Sequence, residues 1–433
     1  HDNDRYPVAT DHEPSPNHAL ATPANAAQFA RIFGPSGFMR FHAVADTMEA
    51  GARAEGVLEA TVPGVKAWTP ETPKLYVARV EWRTRNTVLD SVDIRSGFRK
   101  IETRGADLLL NGKKIFLMGF NRHEDSPRTD AAFDADVMRR DLEMMKDAGC
   151  NFIRLCHYPH HEAELDLCDE LGLLAKCEIP MWGDFWGDEA FRTNHAARSE
   201  AAERQLRKMI ARDRHHPSVI IWSVSNETRE DEPAVTETNR RLVRLAKDLD
   251  PSRLATHVSN RWQGPHSRWH EDDIICCNGY PAIWGPAEQN QPFEEKLALS
   301  AKAWREQWLP YIHNAHPDRP ILVTEFGYAA FAGTHDNRYS ETWYAELMAV
   351  DFPAIAEKEY VCGATVWCWA DHAWPPNTYG FGNAPLSPFG VLTRDRKPKA
   401  PFATLREMFR AKREADLHRQ VTELSLTRRT PGG

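Results

Sequence analysis

The sequence predicts an α/β fold in which a closed (β/α)8 TIM barrel is preceded by a small β-sandwich. Two observations predict the barrel. Eight short apolar runs alternate with segments of helical periodicity over most of the chain. Polar side chains follow directly after most of these runs, as they do where the strands of such a barrel end. The sandwich is predicted from shorter strand patterns, separated by polar turns, that come before the first of the eight runs.

We divide the 433 residues into four segments. Residues 1–50 are rich in proline near their start and lack periodicity, which predicts an irregular N-terminal segment. Residues 51–104 carry three strand patterns, fewer than the seven or so of a complete immunoglobulin-like sandwich, so that an incomplete one is expected. The barrel is expected over residues 105–415 and a loose tail over 416–433. The predicted sandwich strands are Val57–Val62, Leu75–Trp82 and Val88–Ile94.

The barrel region begins with a hairpin whose turn is Asn111-Gly112, a pair that favours a two-residue turn. A regular alternation of strands and helices follows. The eight predicted strands are Phe116–Phe120, Phe152–Cys156, Leu173–Cys177, Val219–Ser223, Leu254–Val258, Ile274–Cys277, Ile321–Thr324 and Gly363–Trp367. The predicted helices are Asp136–Ala148, His161–Leu171, Ala197–Arg212, Pro233–Leu249, Glu294–Ile312, Ser340–Ile355 and a closing helix over Pro398–Lys412.

Composition excludes several classes of function. The net charge of −8 comes without any basic block, which argues against nucleic-acid binding. No apolar run reaches the roughly 18 residues of a membrane span. The eight cysteines lack the short spacing of a zinc or redox motif, which favours a reducing compartment. With no signal peptide in the sequence as given, we expect a cytoplasmic location. A homo-oligomer is left open.

Two predicted strands end in a glutamate. Strand four, Val219–Ser223, runs into Asn226-Glu227, and strand seven, Ile321–Thr324, runs into Glu325. Strands four and seven lie nearly opposite each other in an eight-stranded barrel, so the two carboxylates are expected to face each other at its mouth. A retaining glycosidase needs such a pair, a proton donor and a nucleophile about 5–5.5 Å apart. The alternative is that each glutamate caps the following helix or pairs with an arginine.

A metal site is the main chemical rival. His157, His160 and His161 are close in sequence, and Glu178 and His123 follow other predicted strands. Zinc and manganese hydrolases use such sets of ligands. However, the histidines lie in a loop, where they do not form the i,i+4 pair of a helical metal motif. A nucleophilic serine is disfavoured because no Gly-x-Ser-x-Gly motif is present. We therefore expect neither a bound metal nor another cofactor.

Several ordered motifs together resemble glycoside hydrolase family 2, which holds β-galactosidases, β-glucuronidases and β-mannosidases. The resemblance runs from about Gly56 to Met408. The motifs that carry it are Gly119-Phe120-Asn121-Arg122-His123-Glu124-Asp125, Asn151-Phe152-Ile153-Arg154 followed by His157-Tyr158-Pro159, Cys168-Asp169-Glu170-Leu171-Gly172, His216-Pro217-Ser218 followed by Trp222-Ser223-Val224-Ser225-Asn226-Glu227, and Thr324-Glu325-Phe326-Gly327.

The resemblance implies retaining exo-hydrolysis of glycosides at the mouth of the barrel. In that family's scheme Glu227 would be the acid/base, Glu325 the nucleophile, and Asn226 a contact of the sugar's 2-hydroxyl. Six further substrate-binding residues are predicted: His157, Asn278, Tyr280 and Trp367, which match pocket positions of the family, and Asp125 and Trp369, which follow the first and eighth strands.

The sugar is less clearly indicated. Arg253–Trp284 and Thr393–Lys399 look most like β-glucuronidases, yet Ser387-Pro388-Phe389-Gly390 stands where those enzymes carry an Asn-x-Lys that holds the uronate carboxylate. The magnesium ligands of the β-galactosidase branch are replaced by Trp182 and Asp184, so no required magnesium is predicted. We therefore expect an oligosaccharide or other β-glycoside as substrate, with β-galactosides first and β-glucuronides as the alternative. An inactive carbohydrate-binding protein is the alternative of a different class.

Overall fold

The computed structural model describes residues 27–34, 37–44, 61–83, 87–183, 189–261, 269–285, 292–335, 338–373 and 385–427. The chain divides into two compact units. The first comprises His1–Val65 and Tyr76–Arg95, and the second comprises Lys66–Leu75 and Ser96–Gly433. The predicted immunoglobulin-like portion, 51–104, is therefore shared between the two units.

The first unit contains a four-stranded sheet with the strand order β2-β1-β3-β4. Its strands are β1 (Ala27–Gly34), β2 (Gly37–Val44), β3 (Tyr76–Arg83) and β4 (Val88–Ser96). Strand β1 pairs antiparallel with both β2 and β3. Strands β3 and β4 confirm two of the three predicted sandwich strands, whereas the third, Val57–Val62, lies mostly outside the described residues.

The prediction that residues 1–50 are irregular is wrong for β1 and β2. Local periodicity in these stretches is weak, which is why the sequence did not indicate strands there. The backbone groups of β1 find their partners on β3, which lies far along the sequence. Pairing between distant segments stabilises a strand that its own residues do not specify.

The second unit is a closed barrel of eight parallel strands, as predicted. Neighbouring strands follow the order β10-β11-β12-β13-β14-β15-β8-β9, and the pairs β15–β8 and β9–β10 complete the ring. The strands are β8 (Leu117–Arg122), β9 (Phe152–Leu155), β10 (Leu174–Glu178), β11 (Val219–Asn226), β12 (Leu254–Ser259), β13 (Ile275–Asn278), β14 (Ile321–Phe326) and β15 (Val361–Val366). All eight are buried along their whole length, which is why they read as continuous apolar runs.

Two small sheets accompany the barrel. The first holds β5 (Ile101–Arg104), β6 (Asp107–Leu110) and β7 (Lys113–Lys114), and β6 and β7 form the predicted hairpin around Asn111-Gly112. Both turn residues have positive φ, 52° and 77°, as a type I′ turn requires. The second sheet pairs β16 (His372–Ala373) with β17 (Leu386–Ser387).

Helices connect the barrel strands. They are α1 (Ala135–Asp147), α2 (Glu162–Leu171), α3 (Glu189–Asp213), α4 (Pro233–Leu249), α5 (Pro281–Trp284), α6 (Phe293–Lys302), α7 (Leu309–Ala315), α8 (Glu341–Ala356) and α9 (Ala400–Thr427). A π-helical turn, Ala303–Trp308, joins α6 to α7. Within the described part of the chain, no helix is both long enough and apolar enough to span a bilayer.

Helix α9 corrects the predicted loose tail, because it continues to Thr427 instead of ending near Lys412. An i,i+4 ion pair between Lys412 and Asp416 (2.6 Å), with Arg419 close to the same carboxylate (3.4 Å), supports the extension.

The link between the two predicted domains belongs to the barrel unit. The Trp68 ring is fully buried, and its Nε1 donates to the carbonyl oxygen of Asp169 at 2.9 Å. Arg99 donates to the carbonyl oxygens of Pro217 (3.1 Å) and Val219 (2.6 Å) at the start of β11. These contacts fix the amino-terminal end of β11, whose opposite end carries the candidate site.

Candidate active site

Glu227 and Glu325 both lie at the carboxyl ends of barrel strands, as predicted. Glu227 follows the last residue of β11 with φ of 52°, a left-handed conformation that is uncommon for a residue with a side chain. Its N–H donates to the carbonyl oxygen of Val258 on β12 at 2.9 Å, which holds this conformation. Strain that the surrounding structure maintains is characteristic of functional sites.

Glu325 is held by two strong donors. Its side chain is almost fully buried, with Arg154 Nη1 donating to Oε1 at 2.5 Å and the Tyr280 hydroxyl donating to Oε2 at 2.6 Å. Burial raises the pKa of Tyr280 well above its usual range, and the negative charges of Glu325 and Glu227 raise it further. Tyr280 therefore stays protonated and donates. A cation and a phenol thus hold the two oxygens of the Glu325 carboxyl group in place.

Glu227 has a different environment. It is only half-buried, and its Oε1 accepts from the Asn278 side-chain amide at 2.7 Å. The same amide donates to Asn226 Oδ1 at 3.1 Å, while the Thr324 hydroxyl donates to Asn278 Oδ1 at 2.8 Å and fixes the orientation of the amide. The neutral amide of Asn278 thus fixes the position of the Glu227 carboxyl group.

Arg154 connects Glu325 to Asn226, the residue before Glu227, and this role was not predicted from the sequence. This fully buried residue on β9 donates from Nη1 to Glu325 and from Nη2 to Asn226 Oδ1 at 2.7 Å. Nη1 also donates to Asn121 Oδ1 at 2.9 Å. The signal in the sequence was a cationic residue inside the apolar strand Phe152–Leu155, because a buried charge needs partners.

The carboxylate of Glu178, at the end of β10, balances the positive charge of Arg154. It lies 3.1 Å from Arg154 Nη2 and 2.6 Å from Lys176 Nζ, and it accepts from the Ser223 hydroxyl at 2.8 Å. Burial alone would raise the pKa of Glu178, but Arg154 and Lys176 hold it well below its usual range. The two cations and the two carboxylates, Glu178 and Glu325, therefore cancel in charge. Such pairing is what allows ionised groups to be buried.

Aromatic rings form one wall of the site. His157 Nδ1 lies 2.7 Å from Glu178 Oε1, which fixes the imidazole. Its ring stacks on Trp367, with ring centroids 5.3 Å apart and planes at 22°, and faces Trp182 at 6.1 Å and 28°. His157 and Trp367 thus lie beside Glu178, and their assignment as substrate-binding residues stays a prediction.

The remaining two predicted binding residues have other surroundings. Trp369 is 1 % exposed and packs against Phe120 and Phe402, with centroids 5.1 and 5.9 Å apart, so its predicted role as a sugar contact is wrong. The chain leaves the barrel strand after Val366, which breaks the alternation that would align Trp369 with Trp367.

Asp125 lies in an ion pair. Its two carboxylate oxygens accept from Arg394 Nε and Nη2 at 2.8 and 3.1 Å, and Oδ2 also accepts from the N–H of Ala373 at 3.2 Å. The structure thus gives Asp125 the role of holding Arg394 and strand β16. Its contact with sugar stays a prediction.

The histidines of the rival metal site are directed to different partners. His160 Nδ1 lies 2.9 Å from Glu164, His161 caps helix α2, and His123 Nδ1 lies 3.3 Å from the Tyr158 hydroxyl. His123 and His157 do lie close to Cys156. His160 and Glu164 belong to a second group of potential ligand atoms that lie close together. The expectation that no metal is bound stays a prediction.

A pair of tryptophans supports the loop that carries Tyr280, which the sequence analysis did not anticipate. A side chain at Gly279 would place its Cβ 2.6 Å from Trp304 Cη2 and 2.7 Å from Trp308 Cζ3. Both rings come from the π-helical turn, in which the N–H of Leu309 donates to the carbonyl oxygen of Trp304. Such turns are frequent near functional sites. The N–H of Gly279 in turn donates to the carbonyl oxygen of Glu325 at 2.9 Å.

We expect Gly279→Ala to lower activity strongly, because the added methyl group must displace either the two rings or the backbone that contacts Glu325. A shift near 1 Å in a catalytic group costs on the order of 10²-fold in rate, and overpacking costs about 1–3 kcal/mol of stability. The kcat of the variant and its urea unfolding measure both effects. Adding Trp308→Phe should restore part of the rate, whereas a double variant no better than Gly279→Ala would contradict the steric explanation.

Two carboxyl groups at the mouth of a barrel, one held by an arginine and a tyrosine and the other by an amide, are the arrangement expected of a glycoside hydrolase. The chain belongs to one family within that class. Residues 101–412 match the TIM barrel domain of glycosyl hydrolases family 2, and residues 38–99 match a second domain described as glycosyl hydrolases family 2.

Curated proteins of similar sequence include two β-glucuronidases. The chain is 28 % identical to a β-glucuronidase of Paenibacillus borealis over 367 residues, which are 82 % of this chain and 59 % of that protein. It is 27 % identical to the human β-glucuronidase over 377 residues, covering 83 % of this chain and 54 % of that protein. The chain thus spans a little more than half the length of these curated relatives.

Solved structures of a β-galacturonidase and a β-glucuronidase also resemble this chain. The crystal structure of a family 2 β-galacturonidase from Eisenbergiella tayi bound to galacturonate has a TM-score of 0.78 and 28 % identity, covering 90 % of this chain and 68 % of that chain. A β-glucuronidase from Ruminococcus gnavus has a TM-score of 0.74 and 26 % identity, covering 88 % and 63 %.

Proposed function

We propose that this chain is the catalytic part of a retaining exo-β-glycosidase in which Glu325 is the nucleophile and Glu227 the acid/base. The observation that carries the assignment is the contrast between the donors of the two carboxyl groups. Arg154 and Tyr280 both donate to Glu325, whereas an amide donates to Glu227. A carboxylate held by an arginine and a tyrosine is suited to attack the anomeric carbon, and the carboxyl group at the end of the other strand can supply and take up the proton.

Two displacements follow from these roles. In the first, Glu227 gives its proton to the glycosidic oxygen, the bond from that oxygen to the anomeric carbon breaks, and Glu325 forms a bond to the same carbon. In the second, Glu227 takes a proton from water, the water oxygen attacks the anomeric carbon, and Glu325 leaves as a carboxylate. The β configuration is retained because each displacement inverts it.

We propose β-uronides as the substrate class, either β-glucuronides or β-galacturonides. The support is the similarity to proteins named β-glucuronidase and to a β-galacturonidase structure. This reverses the order expected from the sequence, in which β-galactosides came first, because no relative reported above is a β-galactosidase.

One observation favours a neutral β-hexoside as a second candidate. The Phe389 ring stands where the family resemblance would place a carboxylate-binding lysine. Its centroid lies 6.0 Å from that of Tyr280 and 6.1 Å from that of Trp284, nearly parallel to the latter at 28°. These three rings form an aromatic wall next to Glu325, and such a wall suits a neutral sugar better than an anion.

Release of p-nitrophenol from matched β-glycosides tests the proposal and separates the two candidates. The panel is the β-glucuronide, β-galacturonide, β-galactoside, β-glucoside and β-mannoside. We expect kcat/KM to be highest for one of the two uronides, and the Glu325→Gln variant serves as the blank. A preference for a neutral sugar would instead favour the second candidate. Folded protein with no turnover of any glycoside would favour the inactive carbohydrate-binding alternative.

A further inference from the structure

We propose that Trp182 forms a subsite for the leaving group, and that this subsite prefers flat, apolar aglycones such as aryl alcohols. This inference rests on the proposed function, because the position of the leaving group follows from the role of Glu227 as the acid/base.

The backbone places Trp182 beside the acid/base. Trp182 forms a parallel bridge with Asn226, the residue before Glu227. The N–H of Asn226 donates to the carbonyl oxygen of Met181 and the N–H of Gly183 donates to that of Asn226, both at 2.9 Å. Two hydrogen bonds thus fix Trp182 against the end of β11. Because an acid/base protonates the glycosidic oxygen, the leaving group lies on its side of the sugar.

The ring of Trp182 is the most exposed of three. Trp367 and His157 stack as the inner pair and are 7 % and 8 % exposed, whereas Trp182 faces His157 and is 39 % exposed. The inner pair is held by the hydrogen bond from His157 to Glu178. An aromatic ring that is backed by a rigid stack and open to solvent provides a flat apolar surface without further ordering of the protein.

Within the described residues, Trp284 is a second strongly exposed tryptophan near the site. Trp284 is 48 % exposed and contacts Tyr280 edge-on, with centroids 5.0 Å apart. Since Tyr280 donates to Glu325, Trp284 belongs to the nucleophile's side of the site. The two exposed rings therefore lie in different parts of the site, Trp182 beside Asn226 and Trp284 beside Tyr280.

The test compares a p-nitrophenyl β-glycoside with the methyl β-glycoside of the same sugar, using the sugar that gives the highest kcat/KM in the panel. Because kcat/KM reports the step in which the leaving group departs, we expect Trp182→Ala to lower it about tenfold for the aryl substrate. For the methyl substrate it should change by less than about twofold, because a methyl group offers little surface to the ring. Trp182→Phe should recover most of the loss, and Tyr311→Ala, which removes an exposed ring from α7, should leave both values unchanged.

Equal losses for both substrates would overturn the proposal, because they would mean that Trp182 only supports Asn226 and Glu227. Unchanged values for both would overturn it as well. Binding of the aryl and methyl 1-thio-β-glycosides, followed by calorimetry, separates the subsite from catalysis. Protein that hydrolyses nothing yet binds the aryl compound more tightly, with the difference lost in Trp182→Ala, would retain the subsite and reject the proposed function. Equal binding of both compounds by the unsubstituted protein would reject the subsite.

Discussion

The Glu325→Gln variant is expected to retain the fold and lose at least about 10⁴-fold in kcat, because a carboxamide cannot form the glycosyl–enzyme bond. Glutamine matches glutamate in size; its carbonyl oxygen can still accept from Arg154, and its NH2 group can donate to the Tyr280 hydroxyl. The measurement is the steady-state rate on the best p-nitrophenyl substrate, together with the thermal unfolding midpoint. A kcat within tenfold of the unsubstituted protein would contradict the assignment of Glu325.

The Glu227→Ala variant provides the matched comparison, because it removes the acid/base and leaves the nucleophile. An aryl leaving group departs without protonation, so the glycosyl–enzyme forms and then waits for a nucleophile. Azide can enter the vacated space, attack the anomeric carbon and displace the Glu325 carboxylate. We expect azide to restore turnover of Glu227→Ala and to give a β-glycosyl azide, while it does nothing for Glu325→Gln. Rescue of a Glu325 variant with a β-glycosyl azide as product would mean that the two roles are reversed.

The sequence was sufficient to predict the barrel and its two glutamates. Each of the eight strands is buried on both faces and so reads as an apolar run whose end is marked by polar residues. Glu227 and Glu325 come directly after two such runs, at the edge where barrel active sites are built. The end of each apolar run in the sequence is also a position at the mouth of the barrel, because all eight strands run in the same direction around the ring.

The sequence did not predict what depends on contacts between distant segments. Arg154 lies within an apolar strand, and nothing local shows that its guanidinium reaches Asn121, Asn226, Glu178 and Glu325. The closeness of Trp304 and Trp308 to Gly279 depends on a π-helical turn that rotates both rings toward the barrel, which helical periodicity does not reveal. Strand β1 likewise depends on a partner far along the chain.

Replacing Arg154 by methionine is expected to lower both stability and activity. The substitution leaves Glu178 and Glu325 buried with one cation, Lys176, in place of two, and breaking a buried ion pair by removing one partner costs about 3–5 kcal/mol. It also removes a donor from the nucleophile, so kcat should fall on the order of 10²-fold or more. Urea unfolding and steady-state rates measure the two losses.

Arg122→Met is the matched control. Arg122 is also buried, and it pairs with Asp141 at 3.1 Å and Glu164 at 3.0 Å, on the helix side of β8. Its loss should cost a similar free energy of unfolding, while the folded protein keeps most of its kcat at a temperature well below the unfolding transition. Equal losses of kcat in both variants would mean that the activity lost with Arg154 reflects general destabilisation.

A second substitution separates the charge of Arg154 from its contact with Glu325. Glu178→Gln in the Arg154→Met background leaves one cation, Lys176, and one carboxylate, Glu325, so that the buried charges cancel again. Because Arg154 and Glu178 are in direct contact, their effects on stability should not add, and the double variant should unfold at a higher urea concentration than Arg154→Met alone. Its kcat should stay low, because Glu325 still lacks the hydrogen bond from Nη1. Recovery of both stability and kcat would show that charge balance alone, and not the donor to the nucleophile, is what Arg154 supplies.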